Sequence, residues 1–220
     1  MDKVLVILGS GGHGREILEL AKIVNSHYKK WDKVVFAEKE SKNYNMVNDI
    51  EVVDESKLAD LYGSNFEVIV GVGEPTIREK LIENIEKSRF NSATLIHPGV
   101  LVPDTSVIKA GSAIQQGCFI SCNVEVGNHS YLQPNVVIGH NCKIGDNCVI
   151  SAGVNMGGTI DIGTNTFVGL GASIKQGLHI GKNSIIGMGS VVLSDIEDNT
   201  IAVGSPAHAL RKRDDARIFS

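Results

Sequence analysis

Aliphatic residues recur at every sixth position through the second half of this chain. Stepping by six from Ile96, the positions read Ile96, Val102, Ile108, Ile114, Ile120, Val126, Leu132, Ile138, Ile144, Ile150, Met156, Ile162, Val168, Ile174, Ile180, Ile186 and Val192, with no slip or insertion. At ordinary apolar content such a run arises by chance about once in several million trials. Neither the helical period of 3.6 nor the strand period of 2 produces it. A period of six predicts a short strand and a corner, repeated. Three hexads close one triangular coil of eighteen residues, so the segment predicts nearly six coils, a prism about 27 Å tall at ~4.8 Å per strand layer. One coil cannot bury its inner face alone; stacking makes a continuous core and pairs the backbone between coils.

The remaining hexad positions carry their own pattern. The fifth is mostly small or β-branched (Ser112, Cys118, Val124, Ser130, Val136, Cys142, Cys148, Thr166), as expected inside a tight corner. The second is often glycine (Gly127, Gly139, Gly145, Gly157, Gly163, Gly169, Gly181, Gly187), which predicts unusual backbone angles there.

The front of the chain has a different grammar. The apolar run KVLVIL (3–8) enters Gly9-Ser10-Gly11-Gly12-His13-Gly14, and REILELAKIV follows with helical spacing. A strand, a glycine turn and a helix start form an anion site, because free N–H groups and the helix dipole favour phosphate. The glycines fit the dinucleotide fingerprint. A second strand, KVVFAE, ends at Glu38, placed to hold a ribose hydroxyl. A third, FEVIVGVG, precedes a helix from Glu74 to about Ser88. The domain ends near residue 90, too early for the full six-stranded fold, so half a dinucleotide is the expected ligand. The expected architecture is an α/β half-Rossmann-like domain (1–90), a parallel β-helix of hexapeptide repeats (91–207) and a C-terminal tail (208–220).

Composition narrows the function. Aromatic residues make up only 5% against 24 glycines, which fits a tightly coiled core rather than one built on large rings. A net charge of −4 gives no basic face able to track a phosphate backbone, so no nucleic-acid partner is expected. The basic cluster Arg211, Lys212, Arg213 is followed by Asp214 and Asp215 and reads as a solvated tail. No apolar run reaches the ~18 residues that span a bilayer. The N-terminus reads as a strand rather than a signal peptide, and the four cysteines lack zinc spacing, so free thiols in the cytoplasm and no bound metal are expected.

The hexads, with IGHNCKIGDNCVI and the closing VGSPA (203–207), resemble the left-handed β-helix of hexapeptide-repeat acyltransferases. Together with LGSGGHGRE, VGVGEPTIREK and LIHPG they resemble the family of sialic-acid O-acetyltransferases and bacillosamine-pathway N-acetyltransferases over essentially the whole chain. That resemblance implies a homotrimer with active sites between prisms, acetyl-CoA as acyl donor, and an amino or hydroxyl group of a sugar, often nucleotide-linked, as acceptor in surface glycan synthesis. It assigns the nucleotide to Ser10, Gly11, Gly12 and His13, with Glu38, Lys39 and Gly73 nearby. Three further features depart from relatives besides the Glu38-Lys39 pair, which replaces two aspartates: Asn141 replaces an acid beside the base, Val149 a histidine and Gln133 an asparagine.

Acyl transfer from a thioester needs a base and a cradle for the oxyanion. His140 occupies an outward corner position and matches the family's catalytic histidine; it is the expected general base, with Asn141 orienting it. His97 is expected at the domain junction, His129 and His179 on the surface, and His208 beyond the last coil. Stacking places Cys122, Gly158 and Gln176 in one column with His140. Gly158 is expected to leave room for the pantetheine arm and to offer its N–H to the thioester, with Gly187 and Gly189 farther along the groove. Cys122 raises a nucleophilic Cys–His alternative, whereas Cys118, Cys142 and Cys148 read as inert core. Two other function classes remain: a metal enzyme on the same prism, for which no convincing histidine trio is present, and a non-catalytic nucleotide-sugar-binding scaffold.

Overall fold

A computed structural model describes residues 3–39 and 45–213. The front domain is a five-stranded sheet comprising β1 (Val4–Leu8), β2 (Lys33–Glu38), β3 (Met46–Val47), β4 (Ile50–Asp54) and β5 (Phe66–Val70) in the order β3-β4-β2-β1-β5. The fully buried β1 lies between β2 and β5, parallel to both, with Val6 opposite Val35 and Val68. The helices are α1 (Gly12–Tyr28), α2 (Leu58–Tyr62) and α3 (Pro75–Ser88). The β3–β4 hairpin, with β4 parallel to β2, was not anticipated from the sequence; IEVVD is too short to show a period.

Behind it, two-residue strands at eighteen-residue spacing build three parallel sheets around a triangular core. Ala113, Tyr131, Val149, Phe167 and Ile185 share one face; Phe119, Val137, Asn155, Ser173 and Val191 the second; Val107, Glu125, Lys143, Asp161 and His179 the third. The stepped aliphatic residues point inward from Ile114 to Val192, each buried. Burial of one such side chain is worth about 1.5–3 kcal/mol. The fifth-position hydroxyls cross-link the layers: Ser112, Ser130 and Thr166 donate to the carbonyls of Gly127, Gly145 and Gly181 at 2.7–2.9 Å.

The corners correct one expectation. Positive φ falls on the fourth hexad position, as in Asn123, His129, Asn135, Asn141, Thr159 and Gly171, and not on the glycine-rich second. The second-position glycines are required by close stacking instead. A Cβ on Gly145 would lie 2.7 Å from the Thr164 nitrogen one coil above. The expected tail is also partly regular. Ala207–Lys212 forms a strand antiparallel to Thr200–Gly204, and Lys212 pairs with Glu197 at 2.7 Å. Asp214 and Asp215 lie outside the described residues.

The front domain packs on the first prism face, where Leu95, Ala113, Tyr131 and Val149 join Ile17, Leu18 and Ala21 in one core. At the adjoining corner Arg78 of α3 donates to Asn147 Oδ1 (3.0 Å), to the Val72 carbonyl (2.8 Å) and to the His129 carbonyl. His13 meets the Tyr131 ring edge-on, with centroids 4.4 Å apart. His129 is therefore buried rather than on the surface, because the domain covers it. Burial, and then the Arg78 charge, holds His13 down at about 3 and His129 at about 4.

Two outcomes follow for stability. Gly145→Ala should lower it by about 1–3 kcal/mol through overpacking, whereas Thr159→Gly, which removes a β-branched residue from φ +58°, should raise it by about 1 kcal/mol; urea midpoints measure both. Unfolding frees the two histidines to bind protons near their ordinary value of 6.5, while the folded state keeps them neutral. Their contribution is thus complete above pH 6.5 and is lost as pH falls toward 4, by up to about 1.4 kcal/mol per pH unit for each. The acid slope should flatten in a His13→Gln/His129→Asn double variant; a slope identical to that of the parent would contradict this origin.

Candidate active site

The strand order of the front sheet places its switch point between β1 and β5, where open parallel sheets hold ligands at their carboxyl ends. A cavity of about 930 Å³ opens there. Gly9–His13 after β1, Glu38 at the end of β2 and Gly71–Glu74 after β5 form one wall. The prism supplies the other, from Val149 and Phe167 on the covered face to Gln133, Ser151, Gly169 and Gly187 at its second corner. Helices α1 and α3 both begin at this cavity, with neither an acidic residue in the first turn nor a side-chain cap. The first N–H groups and dipole of α1 are therefore available to an anion, whereas α3 opens on Pro75, which has no N–H, behind Glu74 at its N-cap. Gly14 allows this geometry, because any Cβ there would collide with the Gly9 carbonyl.

Six of the seven expected nucleotide residues (Ser10, Gly11, Gly12, His13, Glu38 and Gly73) line this one cavity; Lys39 stands exposed beside Glu38, outside the lining. Glu38 Oε1 accepts both the Ser10 N–H (2.9 Å) and the Ser10 hydroxyl, which ties the end of β2 to the glycine turn. Gln133 also faces the cavity, and its Oε1 accepts from the Ala152 N–H at 3.1 Å.

The expected catalytic column forms on a different edge. Asn141 N–H donates to the Cys122 carbonyl, Thr159 N–H to the His140 carbonyl and Gly177 N–H to the Gly158 carbonyl, which stacks Cys122, His140, Gly158 and Gln176 coil upon coil. This third corner joins the second and third faces, opposite the covered one. His140 and the cavity therefore lie on opposite sides of one prism. The imidazole is exposed and makes no hydrogen bond or ion pair among the described residues. It leans over Gly158, where a Cβ would lie 2.5 Å from Cε1 and Nε2. Thus the space at Gly158, expected for a pantetheine arm, is taken by the imidazole, and the ring leans toward that layer rather than toward Cys122.

Asn141 takes a different part from the one expected. Its Oδ1 accepts from Asn123 Nδ2 at 2.9 Å, and its backbone occupies the left-handed corner. It orders the corner, and among the described residues no hydrogen bond joins it to the His140 ring. Gly187 and Gly189 also depart from expectation: they belong to the second corner, with Gly187 in the cavity lining, because eighteen-residue stacking aligns position 194 with His140 rather than 187 or 189. Cys118, Cys142 and Cys148 are buried, with burial pushing the Cys148 thiol up to about 12; Cys122 is exposed. His97 folds back on its own turn, its Nδ1 accepting from Gly99, and His179 stays on the surface beside Asp161. Sequence reasoning missed Arg78, whose position inside VGVGEPTIREK was its only signal. Among the described residues no three His, Cys, Asp or Glu side chains gather as a metal site, and no helix is long and apolar enough to cross a membrane.

Comparison with known proteins agrees with this architecture. Residues 4–85 match the PglD N-terminal domain, residues 123–158 the bacterial transferase hexapeptide (six repeats), and residues 159–194 the hexapeptide repeat of succinyl-transferase. No curated protein matches the chain. Among solved structures, the acetyltransferase domain of PglB from Neisseria gonorrhoeae FA1090 is 27% identical, with a TM-score of 0.86 over 94% of this chain and 100% of that one. The same domain solved with acetyl coenzyme A gives 26% identity and a TM-score of 0.71 over 96% and 100%. A histidine-to-asparagine mutant of perosamine N-acetyltransferase from Caulobacter crescentus, in complex with CoA and GDP-perosamine, is 25% identical, with a TM-score of 0.86 over 94% and 97%. With a PglD-type front domain on a left-handed hexapeptide-repeat β-helix, the chain is an acyltransferase with the architecture of the hexapeptide-repeat sugar N-acetyltransferases it resembles.

Proposed function

We propose that this chain transfers an acetyl group from acetyl-CoA to an amino group of a nucleotide-linked sugar for surface glycan synthesis, with His140 as general base. The observation that carries the reading is the pairing of an anion-receptive cavity with an exposed, unpartnered imidazole stacked over glycine. The cavity suits a nucleoside diphosphate, with the glycine turn and the start of α1 toward phosphate and an apolar floor of Val149, Phe167 and Ile185 toward the sugar. The Caulobacter relative, solved with CoA and GDP-perosamine, supports both substrates, and its N-acetyl chemistry favours an amino over a hydroxyl acceptor.

The chemistry requires no covalent enzyme intermediate. The neutral amine attacks the thioester carbonyl while His140 takes the proton it releases. The C–N bond forms, the tetrahedral adduct collapses with loss of the C–S bond, and the imidazolium returns the proton to the departing CoA sulfur. The Gly158 N–H, which has no partner among the described residues, is the candidate donor to the oxyanion. The donor's pantetheine arm runs along the column Gly158, Gln176, Ser194.

Because His140 and the cavity sit on opposite sides of one prism, the reaction requires a second copy. The second face carries exposed Phe119 and Val137, with Leu101 in the same column one coil below. Burying such a column favours association. A closed homotrimer brings the third corner of one copy to the cavity of the next.

With acetyl-CoA and a panel of nucleotide-linked amino sugars, thiol release should appear for at least one sugar. His140→Ala should reduce turnover by about 10²-fold or more, with little change in KM, while Cys122→Ser should leave it intact. Turnover unchanged in His140→Ala would overturn the assignment of the base.

A further inference from the structure

Arg78 is among the largest fully buried side chains of the described residues, and each of its hydrogen-bond acceptors is neutral: the Asn147 amide oxygen and the carbonyls of Val72 and His129. A guanidinium out of water without a counter-charge is unfavourable, and an apolar residue of similar size would fill the same space. Nearby carboxylates are committed elsewhere. Asp146 accepts from the Asn128 N–H at 2.6 Å, and Glu79 from Asn165 at 2.9 Å. His13 and His129 are neutral. Among the described residues Arg78 has no ion-pair partner.

The position of this charge gives it a use. Val72, whose carbonyl it holds, lies between Gly71 and Gly73 in the cavity wall, and the charge reaches His13, another lining residue. Two glutamates, Glu38 and Glu74, also face the cavity and would repel a diphosphate. The start of α1 and Arg78 oppose them. A guanidinium fork can hold the wall and carry charge together, which an ammonium does less rigidly.

We propose that Arg78 is a positioning residue for a diphosphate-bearing substrate: its fork fixes the Gly71–Gly73 wall against the prism, and its charge gains a counter-ion when the diphosphate enters the cavity. The proposal rests on the nucleotide-sugar reading above.

Calorimetric titration of UDP, GDP and their nucleosides into the wild-type chain, Arg78→Lys and Arg78→Met at low and high salt tests it. Arg78→Met should weaken the better diphosphate by about 10- to 100-fold at low salt, lose most of the salt dependence and leave nucleoside and CoA affinity within about threefold. Arg78→Lys should retain the salt dependence and most of the affinity, and this arm stands alone should the methionine variant not fold. Equal diphosphate affinity in the wild type and Arg78→Met, an equal loss for nucleoside and diphosphate, or loss of salt dependence in Arg78→Lys would each overturn the proposal while leaving the nucleotide reading standing. A wild-type chain that binds neither diphosphate would overturn both.

Discussion

Hydrogen bonds between residues eighteen apart hold each coil of the prism to the next, and the rest of the molecule is arranged around that register. Strands of two residues have no independent stability; they persist because each N–H and carbonyl pairs with the coil above or below. The register turns sequence positions into vertical columns. One column demands glycine because backbones nearly touch, another demands residues that tolerate a left-handed corner, and a third lines the interior with hydroxyls that cross-link the layers. His140 inherits its setting from the same rule, since the coil above it offers Gly158 and hence room for the ring.

The second constraint is that a triangular prism has three faces and the front domain covers only one. Its contacts with Tyr131, His129 and Asn147 fix the cavity along that face, while the His140 column occupies the opposite edge. In the proposed mechanism the two halves of the reaction belong to neighbouring copies. The same junction explains why two histidines are held neutral: the covering that creates the cavity wall removes them from water. Stability in acid and the shape of the cavity therefore share one origin.

Much of this was legible in the chain. The six-residue period gave the prism and, through its multiple of eighteen, the stacking of Cys122, His140, Gly158 and Gln176. The glycine turn after an apolar strand gave the cavity wall. What the pattern misjudged were the reasons behind it. Glycine at the second hexad position suggested unusual angles, although it answers a close approach that only the stacked coils reveal. Gly187 and Gly189 looked like continuations of the His140 groove until the corners were counted. Arg78 and His129 were opaque for another reason: their contact spans 51 residues and joins two domains, so no local period or motif records it. The cover of His129 by α3 made an apparent surface residue a buried one.

The most direct test of a site shared between copies mixes two disabled chains. His140→Ala keeps the cavity and loses the base; Gly12→Asp, at a position with open space around it, keeps the base and places a negative charge where the phosphate would sit. Each alone should be inactive. Refolded together in equal amounts, they should recover about a quarter of wild-type turnover, because three-quarters of random trimers are mixed and each mixed trimer holds one intact site in three. Inactivity of properly assembled mixed trimers would contradict the account, placing base and cavity within a single chain.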